Sequence, residues 1–434
     1  MVGGHYVRTL EHQCLEFPGK YQTPGFASDG HFMPPDFIAE FGLHFTCFQR
    51  HRASIGGLFA VLALEVAFKC LVESGPAIKN RAAAPRKSMG AIVRSSMITF
   101  ESPFVVFLGD IVDELQGKTG LGLVQWRREG CLGQLRLPGC RIDAGVPDLT
   151  IATARAKGAR TLIVGSAAVG GQIPASWVDS LREAALAGID IVAGLHLRLG
   201  ALPGLAGAAA KTGARLIDVR VPPAELPVGT GRKRAGRRLL TVGTDCACGK
   251  KYTALAIDRE LRRRGQKSDF RASGQTGIMI AGQGLPMDAV VADFLTGAAE
   301  VLSPENDADH WDVIEGQGAI FHPGYLQVTI GLLVGSQPDA FVVCHDPLRK
   351  TIMGWPQFPL PSVTAVIDAT VATGKLTNPA VRCVGIALNT SKIAPPERAR
   401  LLAQYESDTH LPCVDPLIDG VAPIIDRLCS EFPT

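Results

Sequence analysis

Net charge is almost absent: 44 Lys+Arg stand against 41 Asp+Glu in 434 residues. So small an excess provides no global basic field and excludes general nucleic-acid binding on electrostatic grounds. Long apolar runs are missing too. The longest, residues 55–72, is broken by Glu65 and Lys69 and is too short and too charged to span a membrane. The opening residues carry no basic segment leading into an apolar core, so no secretory signal is read. No G-x-G-x-x-G occurs where a dinucleotide site would need it; residues 165–171 read Gly-Ser-Ala-Ala-Val-Gly-Gly. No second Cys/His pair accompanies Cys246 and Cys248, which speaks against zinc or any other bound metal. The eleven cysteines are odd in number and scattered. They read as reduced thiols in a cytoplasmic protein. Internal repeats and low-complexity tracts are absent.

What is present is ordinary globular material, 46% apolar and 20% charged, enough for two or three cores at roughly 150 residues per domain. Residues 1–96 stand apart. They hold 9 of the 18 Phe, 5 of the 10 His and the whole charge excess, with 10 basic against 7 acidic residues. Only residues 55–73 have a helical pattern there, and residues 81–88 read as linker. This segment is expected to be a largely irregular extension, with Met97 as the natural start of the folded protein.

From residue 97 the pattern is α/β. Short apolar strands are expected at 104–110, 161–165, 189–193 and 215–219. Helices are expected from residue 111 to 120, at 177–187 and at 202–212. Such alternation predicts a Rossmann-like parallel-sheet domain over residues 97–225. Residues 226–238 read as a linker whose basic cluster (Arg232, Lys233, Arg234, Arg237, Arg238) is solvated. A second α/β domain over 239–434 has strands expected at 238–242, 312–315, 340–344 and 383–389.

The strongest signal opens that second domain. Leu239-Leu-Thr-Val-Gly243 is a strand, Thr244-Asp-Cys-Ala-Cys-Gly249 a small-residue loop, and Lys250-Lys-Tyr-Thr253 starts a helix. Backbone N–H groups at such a turn cradle phosphate oxygens, and the lysine adds a point charge. Gly243, Thr244, Asp245, Gly249, Lys250, Lys251 and Thr253 are the expected cofactor-binding residues. Two features depart from the usual phosphate loop. The first glycine lies one position further back, and Lys251 stands where a Ser or Thr would hold Mg²⁺. Phosphate binding is therefore expected, and Mg²⁺-dependent hydrolysis is not.

The Gly-Thr-Asp-x-x-x-Gly-Lys pattern resembles dethiobiotin synthetase, a phosphate-loop ligase whose second acidic strand ends in Val-Glu-Gly. Here Trp311-Asp-Val-Ile-Glu315-Gly-Gln317 ends similarly, and the strand before Asn389 suits a base-reading residue. A broader resemblance runs in order over nearly all of residues 97–434. Gly243-Thr-Asp-Cys, Phe270-Arg-Ala-Ser-Gly-Gln-Thr-Gly, Asp309-His-Trp-Asp-Val-Ile-Glu-Gly-Gln-Gly and Cys344-His-Asp-Pro, with Phe107-Leu-Gly-Asp upstream, are similar to motifs of the DgcN family. These are D-glutamate N-acetyltransferases, also known as domain of unknown function 1611. The resemblance implies a Rossmann-like domain followed by a P-loop NTPase-like α/β domain. It implies acetyl-CoA as donor and an acidic amino acid, D-glutamate, as acceptor. A homo-oligomer with a small-molecule substrate is expected.

Acetyl transfer needs phosphates held, carboxylates clamped, an ammonium deprotonated and an oxyanion stabilised. Arg136, Arg220 and Arg271 suit carboxylates. His322 is the first expectation for the base and His345 the second. Glu315 is a further strand-end candidate, and Gln275 and Gln317 suit an oxyanion. Two rivals are an ATP-dependent ligase or kinase and a non-catalytic nucleotide-binding module.

Overall fold

The computed structural model describes residues 97–166, 173–195 and 197–433, all within one compact unit. The expectations for residues 1–96, and most of the 165–171 segment, lie outside the described residues.

The first sheet holds β1 (Phe104–Gly109), β2 (Cys131–Arg136), β3 (Thr161–Val164), β4 (Asp190–Ala193) and β5 (Leu216–Asp218). Every pairing is parallel, in the order β2-β1-β3-β4-β5. Full burial of β1 and β3 explains their unbroken apolar sequence, because helices cover both faces of a parallel sheet. The covering helices are α1 (Glu114–Trp126), α2 (Ile151–Ala156), α3 (Ala175–Leu186) and α4 (Leu205–Thr212). On α3 the buried Trp177, Leu181, Ala184 and Ala185 recur at helical spacing and face the sheet.

The second sheet is built from β6 (Arg237–Gly243), β7 (Ser268–Arg271), β8 (Trp311–Ile314), β9 (Ala340–His345), β12 (Arg382–Leu388) and β13 (Cys413–Val414). Between β9 and β12 lies a small hairpin, β10 (Thr351–Ile352) and β11 (Trp355–Pro359). The six-stranded sheet is wholly parallel, in the order β13-β12-β9-β6-β8-β7. Its helices are α5 (Lys250–Arg263), α6 (Gln275–Ala281), α7 (Leu295–Leu302), α8 (Leu326–Ser336), α9 (Val363–Gly374), α10 (Pro395–Thr409) and α11 (Ala422–Glu431). On α5, Ala254, Ile257 and Leu261 are buried at helical spacing, and Arg262 and Arg263 suit the negative end of the helix dipole.

One apolar core runs from β1 and β3 into the face of the second sheet covered by α5 and α11. A second core fills the opposite face under α7, α8 and α9. The Rossmann-like and P-loop sheets are therefore packed through a shared core. At the junction Trp126 of α1 stacks on Tyr252 of α5, with ring centroids 6.0 Å apart and planes at 22°. The Arg259 guanidinium also lies over the Trp126 ring, 4.1 Å from its centroid. Ile98–Thr99 also pairs antiparallel with Gln283–Gly284, tying the start of the first domain to the second.

Residues 226–238 are not a solvated linker throughout. Arg234 and Arg238 are buried, at 6% and 1% exposure. Their guanidinium groups donate to the carbonyls of Ser303, Pro304, Ala235 and Gly335. Burial lowers the pKa of both, and the carbonyl bonds compensate the charge. No helix among the described residues is long and apolar enough to cross a membrane.

Candidate active site

Both expected features of the phosphate loop are formed. Strand β6 ends at Gly243, and α5 begins at Lys250 with Gly249 as its N-cap at φ +112°, a conformation natural to glycine. Ala247 is also left-handed, at φ +52°. Left-handed residues alternating with ordinary ones turn successive N–H groups inward, the geometry of an anion-binding nest.

The loop borders a cavity of about 620 Å³ at the carboxyl ends of β6, β8 and β12. This is where open parallel sheets place their ligands. Eight expected residues line it: Gly249, Lys250, Lys251, Thr253, Gln275, Glu315, Gln317 and Asn389. Cys246 and Cys248 join them from the loop. Lys250 curls back, its Nζ donating to the Asp245 carbonyl at 2.7 Å. The Nζ also lies 3.8 Å from Cys248 Sγ, and an ammonium has three hydrogens, so a phosphate oxygen can be met without breaking the carbonyl bond. The Thr253 hydroxyl donates to the Gly249 carbonyl at 3.1 Å and accepts from the Cys344 thiol at 3.4 Å.

Glu315 follows β8 directly and is 4% exposed. Its Oε2 accepts from the N–H groups of Ser273 and Gly274, at 3.0 and 3.1 Å. Among the described residues Oε1 makes no hydrogen bond. This approach requires glycine at 277, because a Cβ there would lie 2.1 Å from Oε2. Burial pushes the Glu315 carboxyl up to about 7, against the pull of Lys251, the two N–H bonds and Lys250. Burial also draws the Lys251 ammonium down to about 8, while Glu315 opposes the shift. A carboxyl and an amine that both titrate near neutrality thus share one cavity. Gln317 donates to the Ser273 hydroxyl at 3.0 Å, and Asn389 accepts from the Ser391 hydroxyl at 2.8 Å. The Gln275 amide lies between the Gly194 carbonyl and Arg220, and so spans the two domains.

The remaining expectations are placed elsewhere. Gly243, Thr244 and Asp245 do not line the cavity. Asp245 is buried and staples the loop: its carboxylate accepts from Cys246 N, Arg349 and Met353 N at 2.6 to 2.8 Å. The Thr244 hydroxyl meets His345 Nδ1 at 3.0 Å. His345 is sealed by that contact and by Tyr405, whose hydroxyl lies 2.8 Å from Nε2. Burial lowers its pKa to about 4, so it stays neutral. His322 is buried against Tyr325 and Trp355, with ring centroids 4.6 Å from each. Neither histidine reaches the cavity, which removes the geometric basis for choosing either as base.

The three arginines expected to clamp carboxylates are likewise occupied. Arg136 pairs with Asp148 and Asp143 at the edge of the first sheet. Arg271 donates through Nε to buried Asp312 at 2.7 Å and also bonds Asp269. Arg220, too, is held outside the cavity, by Asp288.

Asp245, Cys246 and His322 bring one ligand atom each within 4.8 Å of the others. His322 Nδ1 accepts the Gly324 N–H at 3.1 Å, which places the ring hydrogen on Nε2. In that tautomer the nitrogen facing Asp245 carries the hydrogen and has no lone pair for a metal, and the Nδ1 lone pair is taken by the Gly324 N–H.

Sequence reasoning missed the contribution of the first domain. Lys118 and Thr119 of α1 line the cavity, and Thr119 meets Thr276 of α6, hydroxyl to hydroxyl, at 3.3 Å. Asp415, Pro416 and Leu417, after β13, close another side. Thr276 stood inside the Gln275-Thr-Gly motif; Lys118 had no local signal.

Comparison with known proteins fits this two-domain site. Residues 135–222 match a Rossmann-like domain of unknown function, DUF1611_N, and residues 227–425 match its P-loop counterpart, DUF1611_C. A protein of Tritonibacter scottomollicae named D-glutamate N-acetyltransferase is 44% identical over 330 residues, 76% of this chain and 99% of its own. The chain belongs to the DUF1611 family. A Pseudoalteromonas protein with the same name is 42% identical over 327 residues, 75% of this chain and 98% of that one. The crystal structure of a DUF1611 family protein from Anabaena variabilis superposes with a TM-score of 0.64 at 32% identity, covering 76% of this chain and 99% of that one. The family's Rossmann-like and P-loop halves are the two sheets described above, and the cavity lies where α1 of one meets the loop of the other.

Proposed function

We propose that this protein is a D-glutamate N-acetyltransferase that takes its acetyl group from acetyl-CoA. The observation that carries the reading is the similarity to two proteins of that name, at 42–44% identity over nearly their whole length. The cavity is chemically suited to it. CoA carries a diphosphate and a 3′-phosphate. The nest at Ala247 and Gly249, the N-terminus of α5 and three lysines (Lys118, Lys250, Lys251) supply the positive potential such a donor needs.

Glu315 is the group best placed to take the proton. The acceptor's α-ammonium must lose H⁺ before its nitrogen can attack. A carboxyl titrating near 7 inside the cavity accepts that proton at physiological pH. Glu315 passes this first proton to solvent. The amine nitrogen bonds to the thioester carbonyl carbon and gives its second proton to Glu315. The C–S bond breaks, and the thiolate takes that proton from Glu315, so one H⁺ is released overall. Gln317 and Gln275 line the cavity, and each amide has a second N–H, beyond those given to the Ser273 hydroxyl and the Gly194 carbonyl, to offer the developing oxyanion. The eight described cysteines are all unpaired, which supports a cytoplasmic setting.

The test is incubation of the protein with acetyl-CoA and D-glutamate, without ATP or Mg²⁺. Release of free thiol together with N-acetyl-D-glutamate is expected. No thiol with any acidic amino acid, but ADP once ATP and Mg²⁺ are supplied, would overturn the reading in favour of a ligase or kinase.

A further inference from the structure

In a nucleotide-hydrolysing phosphate loop, the residue after the lysine brings a hydroxyl to Mg²⁺. An acid at the end of a neighbouring strand helps to hold the metal. Here the hydroxyl position is Lys251, on the first turn of α5, and the acid position is Glu315, after β8. Both line the same cavity with Lys250. The Lys251 ammonium sits 4.4 Å from the Tyr252 ring centroid, and the carboxyl of Glu315 is the strongest charge acting on it. A further ammonium, Lys118, enters the cavity from α1 of the Rossmann-like domain and acts on Lys251 as a like charge. The nearby Thr253 hydroxyl donates to the Gly249 carbonyl and accepts from the Cys344 thiol at 3.4 Å, so its oxygen is turned toward β9. A divalent cation among these ammonium groups would be repelled, whereas a polyphosphate would be attracted.

We propose that Lys251, assisted by Lys118, stands in the place of the divalent cation of this phosphate loop, so that polyphosphate ligands bind without metal. Glu315, with no metal to hold, is then free to exchange a proton with substrate. The choice of CoA as the natural polyphosphate rests on the function proposed above; the replacement of the metal by lysine does not.

The experiment is calorimetric titration of the full chain with CoA, and separately with ATP, in EDTA and in millimolar Mg²⁺. CoA affinity of the wild type should agree within about twofold between the two buffers. Lys251→Ser should weaken CoA binding about tenfold or more in EDTA, the scale of one charged hydrogen bond. Mg²⁺ should restore much of that loss in Lys251→Ser and nothing in the wild type. Lys251→Arg, which keeps the charge, should retain metal-free binding, and Lys118→Ala should weaken CoA equally in both buffers. Thermal melts establish that each variant is folded. Wild-type binding that requires Mg²⁺, or folded Lys251→Ser binding as tightly as wild type in EDTA, would overturn the proposal. ATP bound in EDTA with no affinity for CoA would remove acetyl-CoA as donor and leave the lysine replacement standing. No binding of either ligand would overturn both.

Discussion

Replacing Glu315 by Gln tests the proposed base with little disturbance of the fold. The two N–H groups that meet Oε2, from Ser273 and Gly274, can both be accepted by the amide oxygen of glutamine. What the variant loses is the proton acceptor. General bases contribute roughly 10²- to 10⁴-fold, so kcat for acetyl transfer should fall by about that factor. The pH dependence is the sharper measure. With its carboxyl near 7, the wild type is only about one-tenth ionised at pH 6, and with Lys251 losing charge near 8, kcat/KM should rise about sevenfold from pH 6 to a maximum near about pH 7.5. Lys251, drawn down to about 8, should give a falling limb as the cavity loses its positive charge. The Gln variant should lack the rising limb. Stability supplies an independent check. The folded pKa of Glu315 lies above the ordinary 4.5, so between 4.5 and 7 the folded chain holds a proton that the unfolded chain has released. Its contribution to stability is present below 4.5 and is lost as pH rises to about 7, on the order of 3 kcal/mol if the whole shift is expressed. Melts at pH 5 and pH 8 should therefore show Glu315→Gln gaining on wild type as pH rises. A variant with wild-type kcat and an unchanged rising limb would refute the assignment; a purely structural role would lower kcat and leave the limb in place.

Lys250→Ala should weaken CoA binding by ~1.5–3 kcal/mol, roughly 10- to 150-fold, because a charged donor is removed from the phosphate cradle. Titration of the variant checks this, and unchanged affinity would remove the loop from the binding site. His345→Gln addresses a different pH range. The folded histidine resists protonation until about pH 4, whereas the unfolded one takes its proton near 6.5, so wild-type stability should be lost as pH falls between those values. Urea melts of the variant should lack that loss, with acetyl transfer retained because His345 does not line the cavity.

The strands legible in the sequence are those enclosed on both faces. β1, β6, β9 and β12 are buried over almost their whole length and read as continuous apolar runs. The overlooked β2, β7 and β13 are the outer strands of their sheets. β7 reads Ser-Asp-Phe-Arg and β2 contains Gly and Gln, compositions an edge tolerates and an apolar-run search passes over. Helix α1 was expected to stop near Gly120 but continues to Trp126. Gly120 is there for close packing: a Cβ would lie 2.8 Å from Leu108 and 2.9 Å from Val106. In the site, the loop, Glu315, Gln317 and Asn389 were legible because strand ends in a parallel sheet converge on one crevice. The histidines misled because a strand-end position does not say which way a ring faces. His345, the last residue of β9, turns toward Tyr405 of α10. Arg271 ends β7 but is captured by Asp312 on the adjacent β8. Lys118 could not be found locally at all, since its place in the cavity depends on how two domains pack.

That packing decides the electrostatics of the site. Burying Glu315 favours its neutral form, whereas Lys250, Lys251 and the Ser273 and Gly274 N–H groups favour its ionised form. The balance near 7 exists only because glycine at 277 lets the carboxylate reach those N–H groups. Lys251 is balanced in the same way: burial works against its charge, Glu315 supports it, and Lys118 from the other domain works against it. An arriving polyphosphate adds negative charge to this set. It raises the proton affinity of Lys251 and keeps that ammonium charged. The donor therefore keeps charged the lysine that holds it, and that charge favours the ionised, proton-accepting form of Glu315. A divalent ion would cancel that added negative charge, whereas lysine answers it with a charge that Glu315 itself supports, which gives a physical reason for lysine rather than serine at position 251.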